Sequence, residues 1–233
     1  VRRNPAPWGL NRISQSAPLA NSDPFDAFEY TYDGDASNPV DVYIIGRIYF
    51  SDTGIYIDHV DFEGRASWEY TYPGLPDVDD NGHGTQVASV AGGTGLGVFK
   101  HANLIAVKVV DGQGSVSCID TPSRVAGMTF VINAANASGR PSLANMSFGE
   151  ILMTGYGIHV CAAAGNSNID ANAVSPARAP SANTVGVSNI FDQRWVDSNF
   201  GSVLDLFAPG EEIAEHVDVY QRPCAEWDPH RYA

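Results

Sequence analysis

Residues 80–110 read DNGHGTQVASVAGGTGLGVFKHANLIAVKVV, and this stretch decides the class of fold. Small and apolar residues recur at helical spacing from Gly84 to Ala91, which predicts a helix. Leu104 to Val110 is an apolar run with the length and composition of a buried strand. A helix next to a buried strand is the repeating unit of an α/β fold, in which helices cover a mostly parallel sheet.

The same alternation continues on both sides of this stretch. Further strands are predicted at Val40 to Ile45, Leu143 to Phe148, Ile158 to Ala164, Thr184 to Ser188 and Leu204 to Phe207, with a second helix at Val125 to Ala137. Asn4 to Leu10 is predicted to form an ordered N-terminal arm. We therefore predict one α/β domain with its functional site at the carboxyl ends of the strands.

Composition narrows the classes of function. The net charge of −14 argues against nucleic acid and anionic membranes as partners, and no apolar run is long enough to cross a bilayer. The acidic chain suits work outside the cell or in an acidic compartment. Because it begins at Val1, we interpret it as a mature form or a fragment. The three cysteines match no zinc or redox spacing, and we interpret them as buried, inert thiols.

Three short segments carry candidate chemistry. Asp52 lies in Asp-Thr-Gly beyond an apolar run, where a carboxylate can orient an imidazole. His83 lies between two glycines at a helix start, where backbone and substrate can approach closely. Asn166 follows the apolar run that ends in Ala164-Gly165, and an amide so placed can donate to a developing oxyanion.

Each segment also has a simpler interpretation. Asp-Thr-Gly occurs in ordinary turns and in aspartic proteases. A single histidine at a helix start is often a structural hydrogen-bonding group. Gly-Asn is a common turn pair. Taken singly, therefore, none of the three identifies a function.

Together the three segments resemble the subtilisin-like serine protease family, the subtilases, and specifically its proteinase K-like branch. Other stretches share the resemblance, which covers Asn4 to about Gly210: Pro7 to Leu10, Phe62 to Ala66, Val107 to Val109, Asn145 to Gly149, Gly157 to Val160, Ser175 to Ala177 and Phe200 to Gly210. The resemblance implies a three-layer subtilisin-like fold with a mostly parallel sheet, incomplete at its C-terminus. We treat 1–233 as one peptidase domain in which 211–233 is a tail unlike the family.

The resemblance also implies roles for individual residues. Asp52 would orient His83, which would act as general base and then general acid, and Asn166 would complete the oxyanion hole. An extended peptide would pair with the strand Asn145 to Gly149 and with the loop around Gly114. The implied substrate-binding residues are Gly114, Ser147, Phe148, Gly149, Ala164 and Gly165.

A structural calcium ion is implied as well. Asp205 and the carbonyl groups of Pro180 and Ala182 match the family's calcium ligands, and oxygen ligands of this kind suit that cation. The alternative is that Asp205 is a solvated acid at the end of a strand. No cofactor is predicted for catalysis itself.

Three departures from the family bear on activity. Residues 211–233 contain no serine, although the family's nucleophile follows the Ala-Pro-Gly turn in a Gly-Thr-Ser-Met-Ala-like segment. Only five residues, 150–154, separate Gly149 from Gly155, so we expect a displaced or frayed strand there, because a parallel crossover needs ~10–12 residues. Residues 45–51 look like an insertion that shifts Asp52.

These observations support three hypotheses. The first is a serine endopeptidase by descent, inactive as written because it lacks the nucleophile. The second is a pseudoprotease that binds peptides or inhibitors through the surviving cleft. The third is a calcium-stabilised structural domain. The predicted partners are peptide or protein substrates, with a propeptide or protease inhibitor as further candidates, and the predicted location is secreted or, alternatively, vacuolar.

Overall fold

The computed structural model describes residues 1–24, 28–32, 34, 41–45, 53–111, 121–146 and 154–213. Nine strands and three α-helices lie within them, and the helices are α1 (Trp8–Ile13), α2 (His83–Gly92) and α3 (Thr121–Ser138). The strands are β1 (Arg2–Ala6), β2 (Phe28–Thr31), β3 (Asp41–Ile45), β4 (Ala66–Thr71), β5 (Asn103–Lys108), β6 (Ser142–Met146), β7 (His159–Ala163), β8 (Asn183–Ser188) and β9 (Leu206–Pro209).

Seven of the strands form one sheet in the order β4-β5-β3-β6-β7-β8-β9. Every pair in this sheet is parallel. All seven strands therefore end at the same edge, and the loops that follow them share one side of the molecule. The predicted α/β architecture with a parallel sheet is confirmed.

Helices cover both faces of the sheet, as the side chains of β5 show. Leu104 and Ala106 pack in a core with Ala88 of α2, whereas the alternate residue Val107 packs with Met128 of α3. Successive side chains of a strand point to opposite faces, so α2 and α3 lie on opposite sides. The result is the predicted three-layer arrangement.

The N-terminal arm is ordered, as predicted. β1 pairs antiparallel with β2, and α1 follows β1 directly. The indole of Trp8 is fully buried and donates to the carbonyl oxygen of Glu212, 3.1 Å away, beyond β9. The two ends of the described chain are thus packed together.

Each predicted strand and helix overlaps an observed one, but several ends differ: β5 ends at Lys108 instead of Val110, and α3 begins at Thr121 instead of Val125. The strand β2 was not predicted. β4 was not anticipated, because its sequence ASWEYT lies in a polar stretch and its burial comes from pairing with β5. The last strand runs from Leu206 to Pro209, two residues later than predicted.

The expected displacement of a strand after β6 is wrong. β6 and β7 are parallel neighbours in continuous register from Leu143–His159 to Met146–Ala162. The alternative expectation, a frayed strand end, concerns residues after Met146, and residues 147–153 lie outside the described part of the chain. The predicted insertion at 45–51 lies outside the described residues apart from Ile45, which ends β3.

Candidate active site at the carboxyl edge of the sheet

The three candidate catalytic residues follow strands of the same parallel sheet. Asp52 comes after β3 and lies outside the described residues. His83 is the first residue of α2, which comes after β4, and Asn166 comes three residues after the end of β7. Because β3, β4 and β7 are parallel, the segments that carry these residues leave from one edge of the sheet.

A buried carboxylate organises the start of α2. The Asp79 side chain, 1% exposed, accepts from the backbone N–H groups of Asn81 (3.2 Å), Gly82 (2.8 Å) and Thr85 (3.0 Å). It also accepts from the hydroxyl groups of Thr53 and Thr85. A carboxylate at a helix N-terminus satisfies N–H groups that have no partner within the helix. The same carboxylate therefore joins the turn that leads into α2 to the segment after Asp52.

A buried ammonium group, that of Lys108, holds the same region through further hydrogen bonds. Lys108, at the end of β5, is fully buried and donates from Nζ to the carbonyl oxygens of Thr53 and Val78, each at 2.7 Å. It also forms an ion pair with Asp80 at 2.5 Å. A buried charge needs such partners. Thr53 is thus held by Asp79 through its side chain and by Lys108 through its carbonyl group.

Two glycines let the segments approach closely. A Cβ on Gly84 would overlap the carbonyl oxygen of Gly54, and a Cβ on Gly54 would overlap the ring of Trp68. The N–H of Tyr56 donates to the hydroxyl of Thr85 at 2.8 Å. The backbones of Gly54 and Gly84 are therefore in direct contact, and the two segments are held together there.

His83 itself is partly buried at the first position of α2. Its N–H lies 3.3 Å from the side-chain oxygen of Asn81, and the preceding residue, Gly82, has φ 106°, a conformation that favours glycine. The imidazole of His83 therefore belongs to a helix start whose backbone is held by hydrogen bonds to Asp79.

Asn166 occupies an exposed loop after β7. The loop is held by Asn199, 1% exposed, whose side-chain oxygen accepts from the N–H groups of Ser167 and Ile169, each at 3.0 Å. The side-chain nitrogen of Asn199 donates to the carbonyl oxygen of Ala164 at 2.8 Å. The loop backbone on both sides of Asn166 is thus tied to one buried amide.

The predicted substrate-binding residues are placed only in part. Ala164 is buried, its N–H donates to Val185 O at 2.9 Å, and Gly165 has φ +100°. The others, Gly114, Ser147, Phe148 and Gly149, lie outside the described residues.

The predicted calcium ligands lie beside β8. Asp205 pairs with Thr184 twice, because its N–H donates to Thr184 O at 2.9 Å and its Oδ2 accepts from Thr184 N at 2.7 Å. Thr184 is two residues beyond Ala182, which is buried. In the described part of the chain, no group of three or more His, Cys, Asp or Glu side chains could hold a metal. One carboxylate with carbonyl groups still suits calcium, so this site stays a prediction.

Sequence reasoning missed three residues that hold the site: Asp79, Lys108 and Asn199. The sequence could have indicated Lys108, because a lysine inside the apolar run 104–110 must find partners if it is buried. Asp79 stands next to Asp80 and only the fold distinguishes the buried carboxylate from its neighbour. Asn199 gave no signal, because it is 33 residues from Asn166 in the chain.

Cys161 on β7 is a free thiol, partly buried, and burial raises its pKa. A raised pKa keeps the thiol protonated, in agreement with the interpretation of an inert cysteine. Cys118 and Cys224 lie outside the described residues.

Comparison with known proteins decides the family. The model of the subtilase family, Peptidase_S8, matches residues 48–228, which is more than half of the chain. The chain belongs to the subtilase family. The match reaches into the stretch 211–233 that we set apart from the family, and our division of the chain stays a prediction.

Curated relatives agree with this family. Subtilisin-like protease 2 of Pseudogymnoascus destructans is 42% identical over 222 residues, covering 91% of this chain and 51% of the relative. Proteinase T of Parengyodontium album is 43% identical over 223 residues, covering 89% and 70%. The predicted membership of the proteinase K-like branch is confirmed. The chain spans about half the length of several of these subtilases.

A solved structure supports the fold of this subtilase. The crystal structure of a cold adapted subtilisin-like serine proteinase superposes with a TM-score of 0.71 at 36% identity, covering 90% of this chain and 74% of the other. Within the described residues, no helix is both long and apolar enough to traverse a membrane.

Proposed function

We propose that the chain is a subtilisin-like serine endopeptidase domain that carries the proton-transfer pair Asp52–His83 and the oxyanion donor Asn166. The observation that supports this most directly is the Asp79 carboxylate. It binds the hydroxyl of Thr53, next to Asp52, and the backbone that leads into α2 at His83. One buried group therefore links the two segments that must act together.

Each residue has a definite task in this reaction. His83 takes the proton of the attacking group and then gives it to the leaving amine. Asp52 orients the imidazole and stabilises its cationic form. Asn166 donates to the oxygen that becomes negative, a contribution of about 3–4 kcal/mol in a protease of this kind.

We propose further that these 233 residues do not cleave peptides. The stretch after Gly210, residues 211–233, contains no serine. Without an attacking hydroxyl no acyl-enzyme can form, and a well-formed site would retain on the order of 10³–10⁴ over water.

The second candidate is a pseudoprotease that binds peptides or inhibitors without cleaving them. The continuous parallel pairing of β6 with β3 and β7 favours it, because the predicted binding residues Ser147, Phe148 and Gly149 directly follow β6. A substrate, a propeptide or an inhibitor would then pair as an extended strand with the segment that follows β6, because β6 itself has a neighbour on each side. A domain with a purely structural role would bind none of them.

A fluorophosphonate probe tests the proposed inactivity, with Proteinase T as the positive control. The 233-residue chain should not label, and the His83→Ala variant should give the same blank result. Labelling that disappears in His83→Ala would show a working nucleophile and overturn the proposed inactivity. Calorimetry with an extended tetrapeptide amide then tests binding, and binding without labelling supports the pseudoprotease.

We propose calcium as a structural ion at Asp205, Pro180 and Ala182. When bound, the ion would tie the loop before β8 to the loop before β9. Thermal unfolding in about 1 mM Ca²⁺ and in EDTA tests this proposal, because a concentration of that order suits an extracellular calcium module. Calcium should raise the midpoint of the parent chain and leave that of Asp205→Ala unchanged. Equal midpoints in both solutions would leave Asp205 as a solvated acid.

We propose a secreted location, with the vacuole as the alternative. The net charge of −14 and the resemblance to subtilisin-like proteases support it, and the same charge disfavours nucleic acid and anionic membranes as partners. Fractionation of cells that express the full gene product, probed with an antibody to this chain, distinguishes medium from vacuole.

A further inference from the structure

The side chain of Asn199 holds the loop 164–169, hereafter the Asn166 loop, through both its oxygen and its nitrogen. The oxygen Oδ1 accepts from Ser167 N and Ile169 N, each at 3.0 Å, on the far arm of the loop. The nitrogen Nδ2 donates to Ala164 O at 2.8 Å on the near arm. One planar amide therefore clamps both arms of the loop that presents Asn166.

The backbone around Asn199 adds to this clamp. Asn199 N donates to Gly165 O at 2.8 Å, and Phe200 N donates to Ile169 O at 3.1 Å. The preceding Ser198 is fully buried, and its hydroxyl accepts from Val187 N of β8 at 2.9 Å. The Asn166 loop is thus fastened through Asn199 to the sheet rather than only to itself.

The space at the clamp is matched to glycine and asparagine. Gly165 has φ +100°, and a Cβ there would lie 2.6 Å from Asn199 Nδ2. A carboxylate in place of the amide would set an oxygen against the carbonyl oxygen of Ala164, whereas the amide donates to it. Only a side chain with an acceptor on one side and a donor on the other satisfies both arms.

We infer that Asn199 is a positioning residue for the oxyanion donor Asn166, acting through the loop backbone and not touching substrate. This inference rests on the proposed function, because it takes Asn166 to bind the oxyanion. Oxyanion donors work only when they are fixed where the charge develops, so an anchor on both sides of the donor is what the chemistry requires.

A ligand pair tests this role. A peptidyl phosphonate carries a tetrahedral anion where the matched peptide amide carries none, and neither needs the missing serine to bind. The parent chain should bind the phosphonate about tenfold tighter, as expected for a hydrogen bond to a charged group. Asn166→Ala should remove this preference, and Asn199→Ala should remove most of it. The double variant should lose no more than Asn166→Ala alone.

A matched variant controls for general damage to turns. Asn189 also accepts two backbone N–H groups with its side-chain oxygen, those of Phe191 (3.1 Å) and Gln193 (3.0 Å), in a nearby turn. Asn189→Ala should keep the phosphonate preference. If Asn189→Ala reduces it as much as Asn199→Ala does, the specific role of Asn199 is wrong.

Hydrogen exchange of individual amides examines the clamp without any ligand. The Ser167 and Ile169 amides should exchange at least tenfold faster in Asn199→Ala than in the parent chain. In Asn199→Asp, which keeps the acceptor but sets a second oxygen against the carbonyl oxygen of Ala164, these amides should exchange more slowly than in Asn199→Ala. Unchanged exchange in Asn199→Ala overturns the clamp itself. If instead the clamp responds but the parent chain shows no phosphonate preference, the proposed role of Asn166 fails, and the inference fails with it.

Discussion

The two sides of the candidate site are anchored by different chemistry. On the His83 side, two buried charged groups hold the backbone: the Asp79 carboxylate, 1% exposed, and the Lys108 ammonium, fully buried. On the Asn166 side, the neutral amide of Asn199 does the same task with three side-chain hydrogen bonds. The task is the same on both sides, namely to fix a short loop at the carboxyl edge of the sheet.

The two anchors differ in how much folding free energy is lost when their hydrogen-bond partners are removed. A buried charge has given up strong hydration, so leaving it or its partners unmatched is expensive. A neutral amide has given up less, and its loss leaves only ordinary hydrogen bonds unmade. We therefore expect the His83 side to be the more rigid and the Asn166 side to be the one that gives way first.

The largest expected effect is that of Asp79→Ala. It removes the acceptor for three backbone N–H groups and two hydroxyl groups in a buried place, and should lower the free energy of unfolding by ~3–5 kcal/mol. The exposed Asp77, which accepts from the hydroxyl of Thr71, is the control, and Asp77→Ala should cost less than about 1 kcal/mol. Urea unfolding measures both.

The contrast itself is tested by adding Asn199→Ala to that series. Its loss should be about 1–3 kcal/mol, because the unmade hydrogen bonds are between neutral groups. Equal losses for Asp79→Ala and Asn199→Ala would remove the distinction between charged and neutral anchors.

Lys108→Met keeps the aliphatic chain and removes the ammonium, and its effect should lie between those of Asp79→Ala and Asn199→Ala. The carbonyl groups of Thr53 and Val78 lose a buried donor, and we expect a loss of ~2–4 kcal/mol in the same urea measurement. The ion pair of Arg2 with Glu29 is exposed on both sides, so Arg2→Met should change stability by less than about 0.5 kcal/mol. A loss for Lys108→Met no larger than that for Arg2→Met would mean that water reaches this ammonium.

The glycines give a smaller effect on each side. Gly84→Ala brings a methyl group against the Gly54 carbonyl, and Gly165→Ala combines φ +100° with a methyl group near Asn199. Each should cost about 1–3 kcal/mol of unfolding free energy. Gly155→Ala, where a Cβ would meet nothing within 4 Å, should be neutral. Losses like that of Gly155→Ala at the other two positions would contradict the close backbone approach.

The smallest effect concerns pH and Cys161 on β7, the strand that leads to Asn166. Burial raises the pKa of its thiol, so the folded chain keeps the proton where the unfolded chain, with a pKa of about 8.5, loses it. Stability is therefore full below that pH and falls as pH rises above it toward the folded pKa. Between about pH 7.5 and 9.5, the midpoint of thermal unfolding should fall less in Cys161→Ala than in the parent chain. An equal fall of the midpoint in both chains would show that other titrating groups cause it.

The sequence predicts the family and the candidate catalytic residues, but it does not predict the residues that support them. Asp52, His83 and Asn166 stand in short segments whose order resembles the subtilases, the family to which the chain belongs. Their supports act across long stretches of chain: Lys108 reaches Thr53 over 55 residues and Asn199 reaches Ala164 over 35. Such contacts leave no local pattern of spacing.

One wrong expectation has the same origin. Five residues between Gly149 and Gly155 seemed too few for a parallel crossover, yet β6 and β7 pair in parallel from Leu143–His159 to Met146–Ala162. Strand pairing is a contact between segments distant in the chain, and a count of residues between two glycines does not measure it.

By itself, the sequence determined the alternation of strands and helices, the family and the candidate catalytic residues, because periodicity and short motifs are local properties of the chain. Tertiary structure alone decided which of Asp79 and Asp80 is buried, how Lys108 finds its carbonyl partners and why Asn199 faces the Asn166 loop. Burial and hydrogen bonding are set by residues distant in the chain, so these supports exist only once the sheet has brought them together.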